Sequence, residues 1–133
     1  MQALTTTKAP APVGPYSQAI KTNNLIFLSG QIALNPEGEL QNASVTTETQ
    51  QVLTNLKNVL AAENLNLKNV IKTTIFLTEM ADFDAVNAVY ADFFDNHQPA
   101  RACVAVQALP KNARVEIEAI AEIDIRSDSL PLK

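Results

Sequence analysis

Apolar positions recur along this chain with two periods, and the periods mark out its elements. Val52, Leu53, Leu56, Val59 and Leu60 fall at the i, i+3/i+4, i+7 spacing that lines one face of a helix. Ser44 or Thr46 can cap that helix, which is predicted to run to about Asn64. Phe83, Val86, Tyr90 and Phe93 repeat the pattern and predict a second helix from Phe83 to about Asp95, capped by Asp82. Elsewhere the period is two. Val70 to Leu77, VIKTTIFL, is rich in β-branched residues and reads as a central strand. Tyr16 to Lys21 and Leu25 to Gln31 read as strands joined at Thr22-Asn23-Asn24, and NPEGE (Asn35 to Glu39) as a turn followed by a short strand near Leu40. Two final strands, Arg101 to Gln107 and Val115 to Arg126, are joined by LPKNA. The segment from Met1 to Pro15 carries Pro10, Pro12, Gly14 and Pro15, which suits an extended arm laid over the surface. The predicted architecture is α+β, a single sheet with both helices packed on one face.

Alternation assigns faces to the last two strands. Val115, Ile117, Ala119, Ala121, Ile123 and Ile125 should meet the helices, leaving Glu116, Glu118, Ile120, Glu122 and Asp124 opposite. In the preceding strand Ala102, Val104 and Val106 should face the helices, which sets Arg101, Cys103, Ala105 and Gln107 beside the acidic set. A hairpin through LPKNA would bring Gln107 near Glu116 and leave Arg101 roughly 20 Å away. Arg101 and Glu116 could then share a small ligand only if they came from different subunits. The plainer interpretation is that alternating acids form a solvated face and that Cys103 is a small core hydrophobe.

Composition narrows the classes. The chain has 133 residues, 47% hydrophobic and 18% charged, with no low-complexity tract, which suits one compact soluble domain over 1–133, with an arm at 1–15 and a frayed tail at 127–133. Its formal charge of −4, with no cluster of Lys or Arg, argues against a nucleic-acid partner. Cys103 is the single cysteine, so no intrachain disulfide forms and a reducing compartment fits. There is no signal-peptide pattern and no apolar run near the ~20 residues that span a bilayer, so a cytoplasmic location away from membranes is expected. His97 and Cys103 cannot by themselves build a zinc or iron site, so no metal is expected. Gly14, Gly30 and Gly38 are too scattered to cradle a pyrophosphate.

Several separated segments together resemble the RidA/YjgF family of reactive enamine/imine deaminases: VGPYSQAI (13–20), LSGQI (28–32), the asparagine of AVNAVY (85–90), PARACVAV (99–106) and RVEIEAIA (114–121). The resemblance implies a chorismate-mutase-like fold in a homotrimer whose sheets form a central barrel, with active sites in clefts between subunits. It implies cofactor-free hydrolysis of 2-imino and 2-amino-enoic acids, such as 2-iminobutanoate and 2-iminopropanoate, to 2-oxo acids and ammonia, protecting pyridoxal-phosphate enzymes. By the same resemblance, Arg101 clamps the substrate carboxylate and Glu116 positions water and handles protons. Tyr16, Ser29, Gly30 and Asn87 line the pocket, and Cys103 lies beside the ligand, acting mostly through its backbone. One departure is FFDNHQPAR, a shorter loop than the family's, with Gln98 in the place of an aromatic residue. Two other classes compete: a nucleic-acid-acting translation inhibitor or ribonuclease, and a chaperone-like module that binds 2-oxo acids without turnover.

Overall fold

The computed structural model describes residues 1–123. Among them are six strands and two α-helices: β1 (Gln2–Leu4), β2 (Ala19–Thr22), β3 (Leu25–Gln31), α1 (Val45–Ala61), β4 (Val70–Leu77), α2 (Phe83–Phe94), β5 (Ala100–Ala105) and β6 (Val115–Glu122). The strands form one mixed sheet in the order β1-β2-β3-β6-β4-β5. The predicted continuation to Arg126 and the frayed tail at 127–133 lie outside the described residues.

α1 forms where the spacing put it. Ser44 is its cap, accepting a hydrogen bond from the Thr47 backbone N–H at 3.0 Å, which leaves Thr46 inside the helix. Val52, Leu53, Leu56, Val59 and Leu60 are all buried in the main core, each such side chain contributing about 1.5–3 kcal/mol on leaving water. Asn55, on the same helix, is fully buried and donates to the Ile32 and Leu34 carbonyls. α2 begins after a short 3-10 turn, Met80–Asp82, and Asp82 occupies the cap position without a side-chain hydrogen bond. Helical backbone at Asp82 itself replaces the extended geometry that a capping side chain needs.

The two asparagine-bearing turns also form as expected. Asn23 adopts a φ of 53° in the β2–β3 hairpin, and Asn35 Oδ1 accepts from the Glu37 and Glu39 N–H groups while Gly38 takes a φ of 85°. The strand expected near Leu40 is an isolated bridge to Leu34. β2 starts at Ala19 rather than Tyr16. The first residues of the expected surface arm pair with β2 as strand β1, and Leu4 is buried there.

Two expectations for the last strands are corrected. There is no β5–β6 hairpin, because β4 lies between them, parallel to β5 and antiparallel to β6. A strand, a helix and a second strand in succession return the chain in parallel, and the loop after β5 then wraps the end of β4. Both sides of that loop are bonded there, Val106 N–H to the Leu77 carbonyl and Thr78 N–H to the Arg114 carbonyl. Lys111 and Asn112, both at positive φ, make the turn back.

The face assignment in β5 is also reversed. β6 behaves as predicted, with Val115, Ile117, Ala119 and Ala121 buried. In β5, however, Arg101 and Cys103 pair with Thr73 and Ile75 of β4, both of which face the helices. Arg101 and Cys103 therefore lie on the helix side, while Ala102 and Val104 lie on the open face with Glu116 and Glu118. Apolar residues are poor guides to the inner face here because the open face is itself apolar in part: Phe27 is 43% and Val104 41% exposed. β5 is the strand at one edge of the sheet, and β1 is the strand at the other. Since Val106 donates toward β4, the backbone groups of Arg101, Cys103 and Ala105 point outward, with no strand beside them among the described residues.

Candidate active site

Four of the expected site residues meet in one cleft of about 630 Å³: Tyr16, Ser29, Gly30 and Glu116 line it, with Glu118 and Lys111 at its margin. The cleft opens at an irregularity of the sheet. Leu28 pairs with Ala119 and Gln31 with Ile117, which sets two residues, Ser29 and Gly30, against the single Glu118, so Ser29-Gly30 form a bulge over β6. Gly30 is required there by close approach. A Cβ at this position would stand 2.9 Å from Glu116 Cδ and closer still to Oε2, so only glycine lets the carboxylate lie against the backbone.

Gln18 holds the outer wall of the cleft in place. Its side chain is 2% exposed, accepts from Thr6 N–H at 2.7 Å and donates to the carbonyls of Pro10 at 2.8 Å and Thr6 at 3.1 Å. These bonds fold the proline-bearing arm over the sheet, and Pro10, Val13 and Tyr16 become lining residues. Ser29 Oγ donates to the Ser17 carbonyl at 2.6 Å, tying the bulge to the same segment.

Behind Glu116, the buried carboxylate of Glu48 fixes where β6 begins. It accepts from the backbone N–H of Arg114 at 2.7 Å and of Val115 at 3.3 Å, and pairs with Arg114 Nε at 2.8 Å. Burial, reinforced by the Glu118 carboxylate, pushes the Glu116 carboxyl above the ordinary glutamate range. Such a group can take up and release a proton closer to neutrality.

Arg101 and Asn87 are elsewhere. They line a second cavity of about 360 Å³ with Tyr90, Phe94, His97 and Gln98, and Arg101 Nη1 donates to Asn87 Oδ1 at 2.7 Å. The register sets Arg101 opposite Thr73 and Thr73 opposite Ala119, so Glu116 lies three residues along and two strands across, a separation of about 14 Å. The two side chains also project from opposite faces. The expected distance between them thus holds in kind, but arises from an intervening strand rather than a hairpin. No acidic side chain pairs with Arg101 among the described residues.

Cys103 lines neither cavity and packs against the core. Burial raises its thiol pKa, outweighing the opposite pull of Arg101, so the group remains a thiol at neutral pH. Among the described residues no three His, Cys, Asp or Glu side chains stand together as metal ligands, and no helix is long and apolar enough to cross a membrane. Sequence reasoning assigned no site role to Gln18, Lys111, Tyr90 or Phe83. Lys111 read as turn and the two aromatics as core. The signal available was spacing, since Phe83, Asn87 and Tyr90 fall at i, i+4, i+7 on one helix face.

The chain belongs to the family described as endoribonuclease L-PSP, which it matches over residues 6–123. Reactive Intermediate Deaminase A, chloroplastic, of Arabidopsis thaliana is 50% identical over 123 residues, covering 92% of this chain and 66% of that protein. The 2-iminobutanoate/2-iminopropanoate deaminase of Mus musculus is 47% identical over 121 residues, covering 90% of each. The crystal structure of E. coli TdcF with bound serine superposes with a TM-score of 0.88 at 40% identity, covering 92% of this chain and 98% of that one. The resemblance to RidA and its relatives is borne out.

Proposed function

We propose that this protein hydrolyses reactive 2-imino acids such as 2-iminobutanoate and 2-iminopropanoate to 2-oxo acids and ammonia. The observation that carries this reading is the division of the site into two halves. One half holds the arginine, with one guanidinium donor on Asn87 and the others without acidic partners among the described residues; the other holds the raised carboxylate of Glu116. Within one chain the halves cannot reach a molecule of a few carbon atoms. In a chorismate-mutase-like homotrimer that buries the open face, β5 of one subunit lies beside the cleft of the next, and the halves meet. The partly apolar open face and the outward backbone groups of β5 support that assembly.

In the assembled site, Arg101 takes the substrate carboxylate through two parallel N–H donors, a geometry that lysine cannot supply. Glu116 accepts a proton from water as the water oxygen bonds to the imine carbon, and passes that proton on to the imine nitrogen to give a neutral carbinolamine. Collapse of the carbinolamine passes the hydroxyl proton to nitrogen through the same carboxylate, breaks the C–N bond and releases ammonia. The balance is imine plus water to 2-oxo acid plus ammonia, with no electron transfer. General acid-base assistance of this kind is commonly worth ~10²–10⁴-fold. Tyr16, Ser29 and Gly30 shape the water side of the cleft, and the Cys103 backbone faces the ligand from the edge of β5. The names of the plant and mouse relatives support the reaction, and the serine in TdcF shows that protein holding a molecule with a carboxylate.

The family description also names a ribonuclease. Glu116 and Glu118 in the cleft, with Lys111 as the cation among its lining residues, make a poor track for phosphates. The direct test generates 2-iminobutanoate in solution and traps what survives. Wild type should hasten its loss, and Arg101→Ala and Glu116→Gln should not. Equal decay in all three overturns the reading.

A further inference from the structure

Phe83, Asn87 and Tyr90 stand one above another on a single face of α2, and all three meet Arg101. The guanidinium carbon lies 5.0 Å from the Tyr90 ring centroid and 5.7 Å from that of Phe83, within the range of a cation–π contact. Asn87 accepts from Nη1. Tyr90 is itself fixed at two points: its hydroxyl is 2.7 Å from Thr73 Oγ1, and its ring stacks on Phe94 with centroids 4.4 Å apart. Thr73 is the residue opposite Arg101 in the β4–β5 ladder. A closed circuit of contacts therefore runs from Arg101 to Tyr90, to Thr73, and across the sheet back to Arg101.

We propose that Tyr90, braced by Thr73 and seconded by Phe83, is a positioning residue that fixes the plane of the Arg101 guanidinium for a carboxylate. The inference rests on the carboxylate-clamp reading above. An arginine on an exposed edge strand samples many rotamers and loses that freedom on gripping an anion. Held against two rings, it has lost the freedom beforehand. Asn87 engages Nη1, so the opposite edge of the guanidinium presents its donors to the ligand. A tyrosine that only filled the core would lose stability on change to leucine without moving the Arg101 guanidinium, whereas this one should move it.

The test compares wild type with Tyr90→Leu, Tyr90→Phe and Phe83→Leu. Titration calorimetry with 2-oxobutanoate reads affinity, steady-state assays separate KM from kcat, and the Arg101 Nε–H NMR resonance reports shielding by the rings. Tyr90→Leu should weaken 2-oxobutanoate about tenfold and raise KM more than it lowers kcat, the size expected of a cation–π contact. It should also move the Arg101 resonance to an unshielded position. Tyr90→Phe, which keeps the ring, should restore most of the lost affinity. A folded Tyr90→Leu that binds like wild type, or a Tyr90→Phe as weak as Tyr90→Leu, overturns the proposal. If Tyr90→Leu does not fold, Phe83→Leu decides: weakened binding with a displaced resonance supports the proposal, and unchanged values for both overturn it. Should wild type not bind 2-oxobutanoate at all, the clamp reading fails alone. The resonance still decides whether the rings hold the guanidinium, and one that does not move on loss of a ring overturns that too.

Discussion

The carboxylate of Glu116 lies directly against the α-carbon of Gly30, closer than any side chain at position 30 would allow. The bulge that places Ser29 and Gly30 over β6 and the alternation that aims Glu116 at the open face are thus two parts of one device. Gly30→Ala should abolish most of the imine-hydrolysing activity by displacing Glu116, while costing about 1–3 kcal/mol of stability. Combined with Glu116→Gln, the loss should be far from additive, because both changes act on the same carboxylate. Additive losses in the double variant would show that the two residues act separately.

Glu116 should also leave a mark on stability. Its folded-state pKa is raised by burial first and by Glu118 second, so the folded protein holds this proton more tightly than the unfolded chain does. Stability from this group is therefore present below the ordinary glutamate pKa of about 4.3 and is lost as pH rises through the folded value. Glu116→Gln should melt above wild type at pH 7, and the gap should close toward pH 4. A variant less stable than wild type at neutral pH would contradict the raised carboxyl.

Mixing two inactive proteins should restore function if the halves come from different chains. A trimer that mixes Arg101→Ala and Glu116→Gln subunits keeps one site whose arginine and glutamate are both intact. Random assembly at equal amounts then yields about a quarter of the wild-type sites. After co-refolding, activity near this level is expected. Activity that stays at the level of the separate variants would place both residues in one chain's site, or show that the chains do not assemble in this way.

Glu48 carries no substrate and still governs the site. Glu48→Ala would leave two backbone N–H groups without their acceptor and deprive the partly exposed Arg114 guanidinium of its carboxylate, a loss of about 1–3 kcal/mol. Urea unfolding at fixed protein concentration measures it. A change below about 1 kcal/mol would mean that water or the Asn42 carbonyl, already bonded to Arg114, takes over the role.

The helices and most strands were legible because their signals are local: the spacing from Val52 to Leu60, the Ser44 cap, the β-branched run at Val70 to Leu77. What failed was pairing. The LPKNA loop looks like a hairpin turn, and nothing in its residues tells that its two ends are bonded to Leu77 and Thr78. The succession of β4, α2 and β5 held the better clue, since a helix between two strands favours a parallel pair. Reversal of the faces in β5 followed from a different cause. Ala102 and Val104 are apolar on a face that the described residues leave exposed, so hydrophobicity pointed there as readily as to the core. The residues of the cleft were found through the quoted motifs, whereas Gln18 and Tyr90 act on backbone and on Arg101, and such indirect roles leave no pattern beyond helical or strand spacing.

The strand that bears Arg101 also has an outer rim that no strand covers among the described residues, with the N–H and C=O groups of three residues turned away from the sheet. A chain with this rim uncovered presents a recruitable ladder beside Arg101. An uncovered ladder of this kind is a template for cross-β capture by unrelated polypeptides, and a neighbour that occupied it would shield the chain from that fate.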